Sequence, residues 1–162
     1  MSTVPMFLPG DVQGALHELL RQALPNVNIG SIGDLAIGDD NELAFDPPCA
    51  RTFFAGTDYG ETQDNLALCY DDTSHEIEIW CAAENLRSLE EQRKNTLELV
   101  AQIVPVLAGA ELELSDGTTT QPVRLKSIVG TLQGRMGAPV TTVYTIKVEV
   151  PGIAQFPPQA GE

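Results

Sequence analysis

The chain has 162 residues, 43% of them apolar and 20% charged, and a formal net charge of −14. That length supports one domain with its own core, and no run approaches the ~18 apolar residues of a membrane span. The acid excess excludes a phosphate-gripping nucleic-acid binder, which needs clustered Lys and Arg.

The charge is unevenly distributed. Residues 1–81 hold fourteen acids against Arg21 and Arg51, whereas residues 82–162 hold nine acids against seven bases. Such a block repels polyanions and keeps a surface solvated. Cys49, Cys69 and Cys81 are odd in number and lack CxxC spacing, so neither a disulfide framework nor a zinc knuckle is expected. They read as small hydrophobes. The opening MSTVPMFLPGDV carries no basic stretch before a long apolar one, so no secretory leader is expected and folding is expected in a cytosol.

In chain order, Asp11 is a plausible N-cap for a first helix. Val12, Ala15, Leu16, Leu19, Leu20, Ala23 and Leu24 follow helical spacing, and Pro25 ends it. His17 is expected on that helix's surface. Val27 to Ile32 is a short extended segment. Gly33 to Cys49 is loop-rich, with a brief strand at Leu35–Ile37. Arg51 to Thr57 reads as a strand. Leu66–Tyr70 and His75–Ala82 read as a hairpin about Asp71–Asp72–Thr73–Ser74, with Ile77 and Ile79 inward and His75 in the turn. Phe53, Phe54, Trp80 and Tyr144 are expected in the core.

A second helix is expected to end near Leu107, opened by a capping box of Ser88 and Glu91 or, one turn earlier, by Asn85. Leu89, Leu97, Val100, Ile103, Val104 and Leu107 form its predicted buried face, Pro105 strains its last turn and Gly109 stops it. Ala110–Leu114 is a predicted strand. Val123, Leu125, Ser127 and Val129 alternate with Arg124, Lys126, Ile128 and Gly130. Val140 to Val150 alternates likewise, so these two strands should pair antiparallel. Pro151, Pro157, Pro158 and two glycines mark residues 151–162 as a flexible tail, ordered only where a partner holds it. The predicted class is α+β: two helices on one face of an antiparallel or mixed sheet, with long loops, in a single domain over residues 1–150.

Motifs for chemistry are not met. His17–Glu18 lacks the second histidine of HExxH, because position 21 is Arg. The glycines at 130, 134 and 137 miss GxGxxG spacing, and neither a phosphate loop nor a GxSxG elbow occurs. Gly38–Asp39–Asp40–Asn41–Glu42 lacks the alternating ligands of a calcium loop. No catalytic, metal-binding or cofactor-binding residue is therefore assigned, no cofactor is expected, and the chain is not expected to be an enzyme.

The run HEIEIWCAAENLRSLEEQRKNTLELVAQIVPVLAGAELEL, followed by VRLKSIVGTLQGRMGAPVTTVYTIKVEV, resembles the tail-terminator and tail-completion proteins of long-tailed bacteriophages, especially the Mu-like group. A strand ends in a polar segment, Asn85–Leu86–Arg87. A long helix then closes on Leu107–Ala108–Gly109, and two long strands follow, the last rich in Val, Thr and Tyr. The resemblance spans Asp11 to Val150. It implies a virion protein, assembled in the bacterial cytoplasm, whose copies form a ring, commonly a hexamer, on the head-proximal end of the tail tube. Its implied partners are the tube protein, head-completion proteins and other copies of itself, with no membrane. DNA would pass the channel without specific binding. Acids facing that lumen would be Asp39, Asp40, Glu42, Asp58, Glu61 and Asp64. A subunit or tube interface would draw on Arg51, Arg87, Glu91, Arg93 and Lys94. The other readings are a connector, tube or baseplate component of the same machine, and a soluble binding module unrelated to phage.

Overall fold

The computed structural model describes residues 7–37, 43–60, 68–84, 88–133 and 141–156. Helix α1 spans Pro9–Ala23 and helix α2 Leu89–Leu107. The strands are β1 (Asn28–Ser31), β2 (Ala36–Ile37), β3 (Leu43–Ala44), β4 (Cys49–Asp58), β5 (Leu68–Ala82), β6 (Arg124–Gln133) and β7 (Thr141–Phe156). Five of them form a mixed sheet in the order β1-β4-β5-β7-β6, with β1 parallel to β4 and the other pairs antiparallel. β2 and β3 pair separately. This is an α+β fold with both helices on one sheet face, as the sequence predicts.

Register explains the core. Ala50, Thr52 and Phe54 of β4 stand opposite Cys81, Ile79 and Ile77 of β5, which stand opposite Tyr144, Ile146 and Val148 of β7. Alternation puts these residues on the helix side. Val12, Leu16 and Leu20 of α1 and Val100, Ile103 and Leu107 of α2 close over them. Each such fully buried side chain contributes about 1.5–3 kcal/mol. A smaller cluster of Cys49, Ala82 and Val143, with Phe45 and Trp80 against it, covers one end of the opposite face.

Several local expectations change. α1 begins at Pro9, with Leu8 as a cap that makes no side-chain bond. Proline suits this position because its missing N–H has no helical partner there. Asp11 is thus in the first turn, where its carboxylate accepts from Ser115 N at 3.4 Å. The predicted hairpin is one continuous strand, β5. Asp71 and Asp72 pass through a register shift between Tyr70 and Thr73 against β7, so an irregularity absorbs the turn-like residues without reversing the chain. Ala110–Leu114 is not a strand: it has one isolated bridge, Glu113 with Thr119, and is tied to residues 118–123 by hydrogen bonds of Leu114 N to Thr118 O, Thr120 N to Leu112 O and Val123 N to Ala110 O. The final strand runs past the expected boundary at Pro151 to Phe156, with Leu68 opposite Phe156. Residues 157–162 lie outside the described residues.

The face of α2 is also rotated. Gln92 and Thr96 are fully buried with Leu99, Val100, Ile103 and Leu107, while Leu89 and Leu97 are exposed. Gln92 behaves like an added peptide group at the sheet's end. Its amide donates to the Ala83 and Thr142 carbonyls, both at 3.0 Å, and its Oε1 accepts from Thr142 N at 2.8 Å. Thr96 Oγ1 accepts from Ala83 N at 3.1 Å. Four groups at the frayed ends of β5 and β7 are satisfied in this way, which outweighs the apolar preference of Leu89 and Leu97. At the start of α2, Ser88 caps Glu91 N, the first half of the predicted capping box, and at the other end Gly109, at φ 74, leaves the helix.

Both histidines are built in. His75 lies within β5, not in a turn, and is fully buried. Its Nε2–H donates to Phe7 O at 3.2 Å and Nδ1 accepts from Thr57 Oγ1 at 2.8 Å, which fixes a neutral tautomer. The Phe7 ring stacks on it at 4.4 Å. His17 is partly buried and bonds Thr52 Oγ1 at 2.5 Å, and Gln13 donates to the same hydroxyl. Burial lowers the pKa of both rings. Burial likewise pushes the Cys49 thiol up to about 12, and Cys81 higher still.

Candidate interaction surface

The least saturated part of the described fold is the β6 side. β6 is an edge strand, and α2 rests on β7 and β5. A register shift between Leu125 and Ser127 changes the predicted alternation. Leu125, Ile128, Gly130 and Leu132 therefore face the helix side, opposite Val148, Ile146, Tyr144 and Thr142. Among the described residues neither helix packs down on β6, although α2 borders it at Gly130 and Leu132. Leu125 is 41% exposed, Ile128 49% and Leu132 67%, and Val129 on the other face is 44% exposed.

Between α2 and β6 this leaves an apolar groove of about 470 Å³, walled by Leu89 and Arg93 and floored by Gly130, Leu132, Thr142 and Tyr144. Gly130 is needed there: a Cβ would stand 2.8 Å from the Tyr144 ring. The Thr142 hydroxyl, buried on this floor, has no hydrogen-bond partner among the described residues. A wider, more polar cleft of about 580 Å³ lies between α1 and residues 111–115, with Asp11, Glu18, Glu111 and Glu113 on its walls. A long edge strand with uncovered apolar side chains is a ready template for another chain.

The predicted interface residues divide. Arg51 is an internal clamp: its side chain is only 12% exposed, it grips Asp46 at 3.2 and 2.5 Å, and it lies 3.9 Å from Asp34. Asp46 lies five residues before Arg51, between β3 and β4, whereas Asp34, between β1 and β2, is brought in by the fold. Arg93 binds Glu90 at 2.9 and 2.6 Å on the groove wall, beside Tyr144. Lys94 is exposed, and Glu91 is partly so in the first turn of α2. Arg87 lies outside the described residues.

Of the six acids assigned to the lumen, Asp58 alone is described. It is exposed at the end of β4, where it accepts from Gly60 N at 3.0 Å. Asp39, Asp40, Glu42, Glu61 and Asp64 lie outside the described residues. Phe53, expected in the core, is 47% exposed, because β4 turns it to the face without helices. Phe54, Trp80 and Tyr144 are partly buried, as expected of core residues.

The apolar β6 edge itself escaped the sequence reading. Its signal was present: Leu125, Ile128, Val129 and Leu132 place large apolar residues on both parities of one strand. That pattern belongs to a strand covered on both faces, and at a sheet edge it implies an external cover. In comparison with known proteins, the sequence matches no family model and no curated protein sequence.

Proposed function

We propose that this chain is a structural subunit whose copies close into a ring, a hexamer by the resemblance above, on the head-proximal end of a phage tail tube. The ring ends tube polymerisation and offers its other side to head-completion proteins. The activity is assembly, not catalysis. The observation that best supports self-association is the α2–β6 edge, with its uncovered Leu125, Ile128 and Leu132 and the groove beside them. Apolar surface of this kind is stabilised by removal from water, at roughly 25 cal/mol per Å² covered. A ring covers it in every copy at once.

Electron microscopy of the purified protein, with and without tail-tube protein from the same source, tests the reading. Single closed annuli that cap tubes are expected. Stacked rings that lengthen without limit would instead indicate a tube subunit. Particles that remain monomeric and ignore tubes would overturn the proposal.

A further inference from the structure

The regular part of β6 has a symmetry of its own. Beyond the irregularity at Lys126, the strand pairs residue for residue with β7 from Ser127 to Gln133. This run, SIVGTLQ, has Gly130 at its centre. Outward from Gly130 the residue types match in pairs: Val129 with Thr131, Ile128 with Leu132, Ser127 with Gln133. The run holds no charged residue and no proline, the devices that commonly guard an exposed edge. Residues Ser127 to Leu132 are all exposed, and the outer side of the strand meets no other strand among the described residues.

We propose that in the free protein this edge is occupied by the same run of a second copy, antiparallel, about a two-fold axis through Gly130. Residues that stand opposite each other in an antiparallel pair share a sheet face. This register sets Ile128 against the second copy's Leu132, and Leu132 against its Ile128, on the helix side. Val129 meets Thr131 on the other side, a β-branched pair that suits a sheet. Gly130 meets Gly130, so no side chain stands at the axis. Other registers match less well. An axis through Val129 sets Leu132 opposite Lys126, at the irregularity, and Ile128 opposite Gly130. A slip by one position turns one copy over and sets Ile128 beside Thr131 and Leu132 beside Ser127. The paired copies share one continuous sheet, five strands from each, with the helices of both on the same face. The contact is isologous and closes at two copies, so it cannot repeat around a larger ring. It covers the Ile128 and Leu132 that the ring reading offers to a neighbour. One further step rests on that reading: the dimer holds this edge back from ring closure until a tube displaces the pairing.

Light scattering and native mass spectrometry of the full chain, without tube protein, should give a species of twice 17.4 kDa that dissociates on dilution. The variant carrying I128K and L132K should be a monomer with an unchanged circular dichroism spectrum. V129C and T131C read the register. Mixed in equal amounts and oxidised, these two variants should form a disulfide-linked dimer, because residues that face each other across a strand pair lie within disulfide reach. Neither variant alone, nor wild type, should do so. If I128K with L132K unfolds the chain, the mixed pair decides. Wild type that is monomeric at every concentration, or that assembles only into larger species, overturns the pairing and leaves the ring reading standing. A dimer that survives I128K with L132K, or that cross-links as V129C alone and not in the mixture, overturns it equally. The linked dimer should fail to cap tubes until a reductant is added, and capping while linked would refute the hold-back step. If wild type and the reduced chains form no annuli on tubes, the ring reading fails while the two-fold pairing stands.

Discussion

Two polar side chains inside the core carry more of the architecture than their number suggests. Gln92 closes the ends of β5 and β7 with three hydrogen bonds of 2.8–3.0 Å to buried backbone groups. Gln92→Leu keeps the volume but strands a Thr142 N–H and two carbonyls. At roughly 1–3 kcal/mol per unsatisfied buried group, with partial relaxation, a loss of about 2–4 kcal/mol is expected. Urea unfolding measures it, and a loss within experimental error would show that the latch is dispensable. His75 gives a pH dependence of known sign. Its pKa is lowered from 6.5 by burial, so below pH 6.5 the unfolded chain takes up a proton that the folded ring resists. Stability should be complete above pH 6.5 and fall as the pH drops from there toward the folded value. His75→Gln should flatten part of that slope in denaturation midpoints measured across the range. His17, shifted the same way, contributes in the same direction.

At the scale of elements, the sequence was most legible where periodicity alone decides the structure. α1, β7 and the Ile77/Ile79 face of β5 follow directly from spacing. Legibility failed where a tertiary contact overrode a local signal. Asp71–Asp72–Thr73–Ser74 has turn composition, but pairing with β7 on one side holds the segment extended. The buried face of α2 was misplaced because Gln92 and Thr96 look like surface residues until the open ends of β5 and β7 are set beside them. The β6 phase was lost at a single irregularity near Lys126, where the side chain reaches Glu76 and Glu149 at 2.9 and 3.1 Å. For the candidate surface, Arg93 falls beside the groove, whereas Arg51 is held by Asp46, five residues before it, and by the more distant Asp34. Pro105 in α2 offers a test at this scale. It is exposed within the last turn and removes a helical N–H. Pro105→Ala should stabilise the domain by about 1–2 kcal/mol, less than the ~3 kcal/mol of a mid-helix proline because the turn is terminal and the unfolded chain gains freedom. A higher midpoint in thermal unfolding is the expected result, and a lower one would mean that the proline ring is needed where it is.

For the whole molecule, the dominant quantity is the net charge of −14 and its concentration in the first half of the chain. A protein through which DNA travels must not hold phosphates, and a surface of carboxylates achieves this by repulsion at short range. In the ring proposed above, the resemblance implies that Asp39, Asp40, Glu42, Asp58, Glu61 and Asp64 would supply that repulsion. The isolated protein should therefore leave duplex DNA unshifted in a gel even near 0.01 M salt, where the screening length is about 30 Å and any phosphate contact is strongest. Replacing the six acids with Lys would bring the molecule close to neutrality and give the bore a grip. Rings should still form on tubes, because the α2–β6 edge is untouched, while DNA ejection from assembled particles should slow. Light scattering during triggered ejection reads that rate. An unchanged rate in particles that carry the substituted ring would place these acids on the outside of the annulus, where they serve solubility alone.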